Sequence, residues 1–185
     1  MTRPDVTFRV ERPDEAGAVD AMVIETFGED KLRGMLRDLR ASDAWIDGLS
    51  FVADLDGEVV GHVLFTRSLL DAPRRLVDVL VLSPLAVRAD VQGRGVGSDL
   101  VRHGLEQVRS RPEPAVFLEG SPAYYPRFGF VPGDGLGFRK PSLRIPDAAF
   151  QVVTLPSYES WMTGTLVYAE PFWRNDCVGL RDPDA

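Results

Sequence analysis

Cysteine is nearly absent: Cys177 stands alone, so an intramolecular disulfide and a cysteine-rich metal site are both excluded. Lysine is almost as scarce, with only Lys31 and Lys140, and the basic residues are otherwise arginines. Lys and Arg together number 21 against 28 Asp and Glu, for a formal net charge of −7. A chain without a clustered basic excess does not make extended contact with nucleic-acid phosphates. No apolar run approaches the roughly 20 residues that cross a bilayer. The start, Met1-Thr2-Arg3-Pro4-Asp5, carries no apolar stretch of the signal-peptide kind. The expectation is a soluble, cytoplasmic protein without membrane or nucleic-acid partners. The acidity favours an amine-bearing substrate through long-range attraction and serves solubility equally well.

The 185 residues, 44% hydrophobic and 26% charged, suffice for one domain with a sizeable core. That domain is expected over residues 6–170, with 171–185 as a C-terminal extension. Thr7 to Glu11 alternates polar and apolar residues, as a half-buried strand does. Pro13 and Asp14 open a helix with Ala16, Val19, Met22, Val23 and Phe27 on one face, and Lys31 to Arg40 reads as a second. Two apolar runs meet across Asp56-Gly57, which signals a hairpin. Leu76 to Val87 is the most apolar stretch, and Pro84 inside it marks a bulge or a point where pairing ceases. Val96, Leu100, Val101, Leu105 and Val108 form a helical stripe. Short strands are expected at Ala115 to Leu118, Phe128 to Val131, Phe150 to Leu155 and Thr165 to Tyr168. A turn or helix is expected at Ser121 to Pro126 and a loop at Gly133 to Gly137. Strands and helices in this order make an α/β or α+β chain around a mixed sheet.

Gln92-Gly93-Arg94-Gly95-Val96-Gly97 lies between the apolar strand and the amphipathic helix. Glycines permit positive φ and remove side chains, so backbone N–H groups can converge on an anion. The helix start adds unpaired N–H groups and its dipole, and Arg94 adds a charge. A dinucleotide fingerprint would need a third glycine where Ser98 stands, and a P-loop would need a lysine that is absent. A turn that merely packs helix on strand is the other reading.

Two further elements separate these readings. The turn matches the (Gln/Arg)-x-x-Gly-x-(Gly/Ala) signature of the GCN5-related N-acetyltransferase (GNAT) superfamily, which the chain resembles. Pro84-Leu85-Ala86-Val87 is similar to that family's bulged fourth strand, and Tyr124-Tyr125-Pro126-Arg127-Phe128-Gly129-Phe130 to its Tyr-x-x-x-Gly-Phe element. The joint pattern resembles a bacterial subgroup of small N-acetyltransferases, over roughly residues 6 to 170. The resemblance implies a GNAT-like mixed, mostly antiparallel central sheet flanked by helices, with a bulged strand before the CoA-binding turn.

It also implies an enzyme that moves an acetyl group from acetyl-CoA to a primary amine of a small molecule or peptide. Leu85, Ala86 and Val87 would pair with the pantetheine arm, and Gln92, Gly93, Arg94, Gly95, Val96, Gly97 and Ser98 would hold the pyrophosphate. A backbone N–H of Val87 or Ala86 would polarise the thioester carbonyl. Tyr125 takes the family's place for the acid that protonates the leaving thiolate. Glu119 is the first choice for the base, with Asp78, Glu25 or a water relay as alternatives. His62 and His103 have no partner at metal-ligand spacing, so no metal is expected. Cys177 has no histidine partner for covalent catalysis. Tyr124 and the tryptophans Trp45, Trp161 and Trp173 read as packing or substrate-facing groups. Dimers are common in the family, and nothing in the chain decides that state. The alternative from another class is an acyl-CoA-binding sensor or partner-binding module on the same fold.

Overall fold

Asp56 and Gly57 both take positive φ, 54° and 90°, and the Gly57 N–H donates to Asp54 Oδ1 at 2.8 Å. That turn joins the hairpin expected there. The computed structural model describes residues 5–181, which gather into two compact units. One runs up to Thr66 and resumes over Leu82–Arg109; the other comprises Arg67–Val81 and the chain from Ser110 onward.

The first unit contains β1 (Thr7–Val10), α1 (Ala16–Phe27), α2 (Lys31–Arg40) and β2 (Ser50–Leu55). It also holds the first part of β3 (Glu58–Asp71), the end of β4 (Leu76–Val87) and α3 (Val96–Val108). Its strands lie in the order β1-β2-β3-β4. β1 and β3 are antiparallel to β2, with a register shift between Ala53 and Asp54. α1 buries Val19, Met22 and Val23, and α2 buries Leu32, Met35, Leu36 and Leu39, following their 3–4 spacing. Phe27 was expected inward and is instead half-exposed, because α1 ends immediately after it at left-handed Gly28. Residues Pro13–Glu15, expected as α-helix, form a 3₁₀ turn ahead of α1. Gly104 of α3 sits against the Phe65 ring, where any Cβ would collide, so the helix seats closely.

In the second unit β4 pairs with β5 (Ala115–Glu119) in parallel. β5 and β6 (Val131–Pro132) lie antiparallel on either side of β8 (Phe150–Thr154). β9 (Gly164–Val167) runs antiparallel to β3 and parallel to β7 (Phe138–Arg139), and α4 (Glu170–Arg174) follows. A strand was expected over Phe128 to Val131. Only Val131 belongs to one, since Tyr125–Phe128 is a 3₁₀ turn closed by Gly129 at φ 91°. Pro126 at the start of that turn and the left-handed glycine after it outweigh the apolar Phe-Gly-Phe-Val pattern. Part of the expected loop is also ordered, as a 3₁₀ turn at Asp134–Leu136. Residues 182–185 of the expected C-terminal extension lie outside the described residues. No helix among the described residues is long and apolar enough to cross a membrane.

One charge network pins the entry to α1. Glu15 accepts from Arg9 through both oxygens (2.6 and 2.7 Å) and from the Arg12 backbone N–H at 2.8 Å, while Arg9 also reaches Asp54 at 2.6 Å. Hydrogen bonds from the Arg9 guanidinium outweigh burial and hold the Glu15 carboxyl down to about 2. A carboxyl depressed in the folded state stabilises the fold above its ordinary pKa of about 4.3 and loses that contribution as pH falls towards 2. Glu15→Gln should therefore lower Tm at neutral pH and flatten the loss of stability in that acid window. Melting curves from pH 7 to pH 2 check this; identical pH slopes for both proteins would contradict it.

Candidate active site

The first unit carries the expected anion-binding turn. Arg88 N–H donates to the Val60 carbonyl at 2.9 Å, fixing which backbone groups at the end of β4 face β3. Because facing alternates along a strand, Ala86 shares the Arg88 side while Leu85 and Val87 present their N–H and C=O groups on the opposite side. Ala86 is buried and its neighbours are half-buried. The parallel pairing of β4 with β5 covers Leu80 and Val81 and stops there, three residues before Pro84. Pairing with β5 thus ends ahead of the proline, while β4 itself continues through Pro84 to Val87.

A 3₁₀ turn at Ala89–Val91 then leads to Gln92, whose side-chain Nε2 donates back to the Val87 carbonyl at 2.7 Å. Gly93 and Gly95 take φ 71° and 91°, and Gly95 is the residue from which α3 starts. An added Cβ at either would meet nothing within 4 Å, so these glycines serve the backbone conformation and leave open space above it. The first α3 bond runs from Asp99 N–H to the Gly95 carbonyl at 3.0 Å, and the Val96 and Gly97 amides precede it. No side chain caps this helix start. Arg94, half-buried, makes no hydrogen bond or ion pair among the described residues. Arg88, by contrast, is tied to Glu58 at 3.0 Å and Asp90 at 2.7 Å. The turn thus offers backbone donors, a helix dipole and one uncommitted guanidinium, which suits a phosphate or pyrophosphate.

The second unit carries the expected acid and base candidates. Tyr125 begins its 3₁₀ turn with the ring against Gly120, where a Cβ would collide, and 5.7 Å from the Phe130 ring. Its hydroxyl makes no hydrogen bond among the described residues. Burial, reinforced by Tyr124, pushes the phenol above its ordinary value, so it stays protonated at neutral pH. Tyr124 packs edge-on to Tyr125 at 5.0 Å, with the Arg127 guanidinium 4.8 Å over its ring.

Glu119 ends β5, cross-strand from Phe150. Burial pushes its carboxyl up, against the lowering effect of the Tyr168 hydroxyl and the Gly179 amide. The Gly179 N–H donates to Glu119 Oε2 at 3.0 Å. These two partners lie far along the chain, and sequence reading had no signal for them. The other candidate bases, Asp78 and Glu25, are exposed.

His62 is fully buried, with Nε2 at 2.9 Å from Ser50 Oγ and 3.5 Å from Glu11 Oε2. His103 packs edge-on to Phe51 at 5.1 Å, and burial lowers its pKa. Both rings are absorbed in packing and structural hydrogen bonds. Among the described residues no three His, Cys, Asp or Glu side chains gather as a metal site.

The sequence model of the acetyltransferase (GNAT) family matches residues 18–130, a stretch holding the turn, Glu119 and Tyr125. The chain is 34% identical over 177 residues to the uncharacterized N-acetyltransferase YjhQ of Escherichia coli K12, covering 92% of this chain and 96% of that protein. A solved structure of the GNAT family N-acetyltransferase YhbS from Escherichia coli, in complex with CoA, has a TM-score of 0.81 and 31% identity, covering 91% of this chain and 92% of that one. A GNAT family acetyltransferase from Brucella melitensis in complex with acetyl-CoA has a TM-score of 0.72 and 29% identity, over 90% and 97%.

The positive φ at Gly95 makes a prediction. Gly95→Ala introduces no clash, so the backbone strain acts alone and should cost about 1–2 kcal/mol of stability. Denaturant unfolding measures it, and an unchanged midpoint would show that residue 95 does not hold that conformation.

Proposed function

The chain belongs to the acetyltransferase (GNAT) family, and on that premise we propose that it moves an acetyl group from acetyl-CoA to a primary amine of a small molecule or peptide. The observation that carries this reading is the turn from Gln92 to Gly97, with its open glycines, its uncapped helix start and the outward backbone groups of Leu85 and Val87 ahead of it. The pyrophosphate rests on the backbone amides of Gly93, Gly95, Val96, Gly97 and Ser98, beside Gln92, whose own N–H donates to the Ala89 carbonyl at 3.4 Å, with Arg94 adding a charge-assisted contact. The pantetheine arm lies along Leu85 to Val87 as an added strand. Strand alternation favours the Val87 N–H over that of Ala86 as the donor to the thioester carbonyl.

A neutral amine attacks the thioester carbonyl carbon. The new C–N bond forms a tetrahedral intermediate, and the C–S bond then breaks to release CoA thiolate. One proton must leave the amine and one must reach the sulfur. Tyr125 supplies the second, a role supported by its protonated phenol and unengaged hydroxyl. Glu119 takes the first: burial raises its basicity, and two hydrogen-bond partners hold it in place.

The test is release of free thiol from acetyl-CoA with a panel of primary amines, run on wild type and Tyr125→Phe. Wild type should release thiol with at least one amine, and the variant should lose roughly 10²-fold or more in kcat with CoA affinity little changed. Tight CoA binding with no thiol released would favour the non-catalytic acyl-CoA sensor instead. Equal kcat in the variant would remove Tyr125 from the chemistry.

A further inference from the structure

The segment from Asp134 to Phe150 lines a half-open cavity of about 310 Å³ within the second unit, at the small end of the roughly 300–1,000 Å³ usual for small-molecule sites. Phe138 and Phe150 form its apolar floor. Both rings are buried and braced by Phe117, edge-on to Phe138 at 5.0 Å and stacked on Phe150 at 5.8 Å. Leu143 also lines the cavity, with 94% of its surface exposed.

The rest of the lining is charged, and of both signs. Arg139 uses Nε on Thr165 Oγ1 at 2.9 Å, leaving its two terminal nitrogens without a partner among the described residues. Lys140 pairs with Asp147 and donates to the Ile145 carbonyl at 2.6 Å. Asp134 spends Oδ1 on the Gly135 amide at 2.9 Å and keeps Oδ2 open. A simple cationic amine would meet Arg139 and Lys140 at a cost, and a simple carboxylic acid would meet Asp134 likewise. A zwitterion with an apolar tail satisfies every part of this lining.

Glu119 does not itself line the cavity but is one strand away from its floor. It pairs directly with Phe150 across β5 and β8, and directly opposed residues of antiparallel strands project from the same face about 5 Å apart. The proposed base therefore neighbours the cavity floor.

We infer that this cavity binds a free α-amino acid with an apolar side chain, and that its α-amine is the acceptor. Arg139 holds the α-carboxylate, Phe138, Phe150 and Leu143 take the side chain, and the amine lies towards Glu119. The α-nitrogen forms the bond to the acetyl carbon, its proton passes to Glu119, and the thiolate leaves with the proton from Tyr125. The inference rests on the acetyl-transfer reading for the reaction but not for the binding.

Two measurements separate the two claims. The first is calorimetric titration of the full chain, without acetyl-CoA, with L-phenylalanine and with 2-phenylethylamine, which lacks the carboxylate. L-Phenylalanine should bind about tenfold or more tighter than the amine, and Arg139→Ala should erase that difference by weakening L-phenylalanine while the amine, relieved of a like charge, binds no more weakly than to wild type. The second is thiol release from acetyl-CoA with both compounds. Undetectable L-phenylalanine binding, or binding indifferent to Arg139→Ala, would overturn the inference. If another amine then released thiol, the acetyl-transfer reading would stand without it. Binding that depends on Arg139, with no thiol released by any amine, would establish the cavity as an amino-acid site while removing its acceptor role and the transferase reading together.

Discussion

A strand cannot lend its backbone to a ligand while a neighbouring strand holds it, and the proposed CoA site depends on that constraint at the end of β4. Pairing with β5 ceases at Val81, and Arg88 to Val60 keeps the opposite side of β4 anchored to β3. Leu85 and Val87 are thereby left with outward-facing backbone groups on a strand that is otherwise fixed. Gln92 extends the arrangement, because its side chain ties the glycine turn to the Val87 carbonyl. Strand end, turn and helix start consequently form one connected piece of backbone, held by hydrogen bonds formed before any ligand arrives. Such preorganisation reduces the ordering cost of binding.

The catalytic candidates depend on burial in a different way. Tyr125 keeps its proton because its ring is packed among Gly120, Tyr124 and Phe130, and Glu119 gains basicity because burial penalises its charged form. Burial thus favours the neutral phenol and raises the basicity of the carboxyl, which is compatible with the acid and base roles proposed for them. Glu119 is not left to float: Tyr168 and the Gly179 amide hold it, so the last described stretch of chain helps to fix the carboxylate.

Legibility in the sequence followed the range of the interactions. The turn from Gln92 to Gly97, the Asp56-Gly57 hairpin and the two amphipathic helices could be read because each is set by residues a few positions apart. Pro84 was legible as a disturbance of its strand, although pairing with β5 already ends at Val81, three residues earlier. Phe128 to Val131 misled because apolar alternation suggested a strand, whereas Pro126 and left-handed Gly129 impose a 3₁₀ turn. Phe27 misled because helical periodicity says nothing about where the partner surface ends. The partners of Glu119 and the aromatic floor of Phe138 and Phe150 come together only through strand pairing across long separations. No local pattern announces them, so the proposed acceptor site has no signature in the sequence.

The central claim is that the backbone from Leu85 to Gly97 binds CoA. Amide-resolved NMR during a CoA titration tests it most directly. The account predicts saturable shifts concentrated at Leu85, Val87, Gly93, Gly95, Val96 and Gly97, with the Gln92 side-chain amide retaining its bond to Val87. Saturable binding whose shifts fall elsewhere, leaving those amides unmoved, would contradict it.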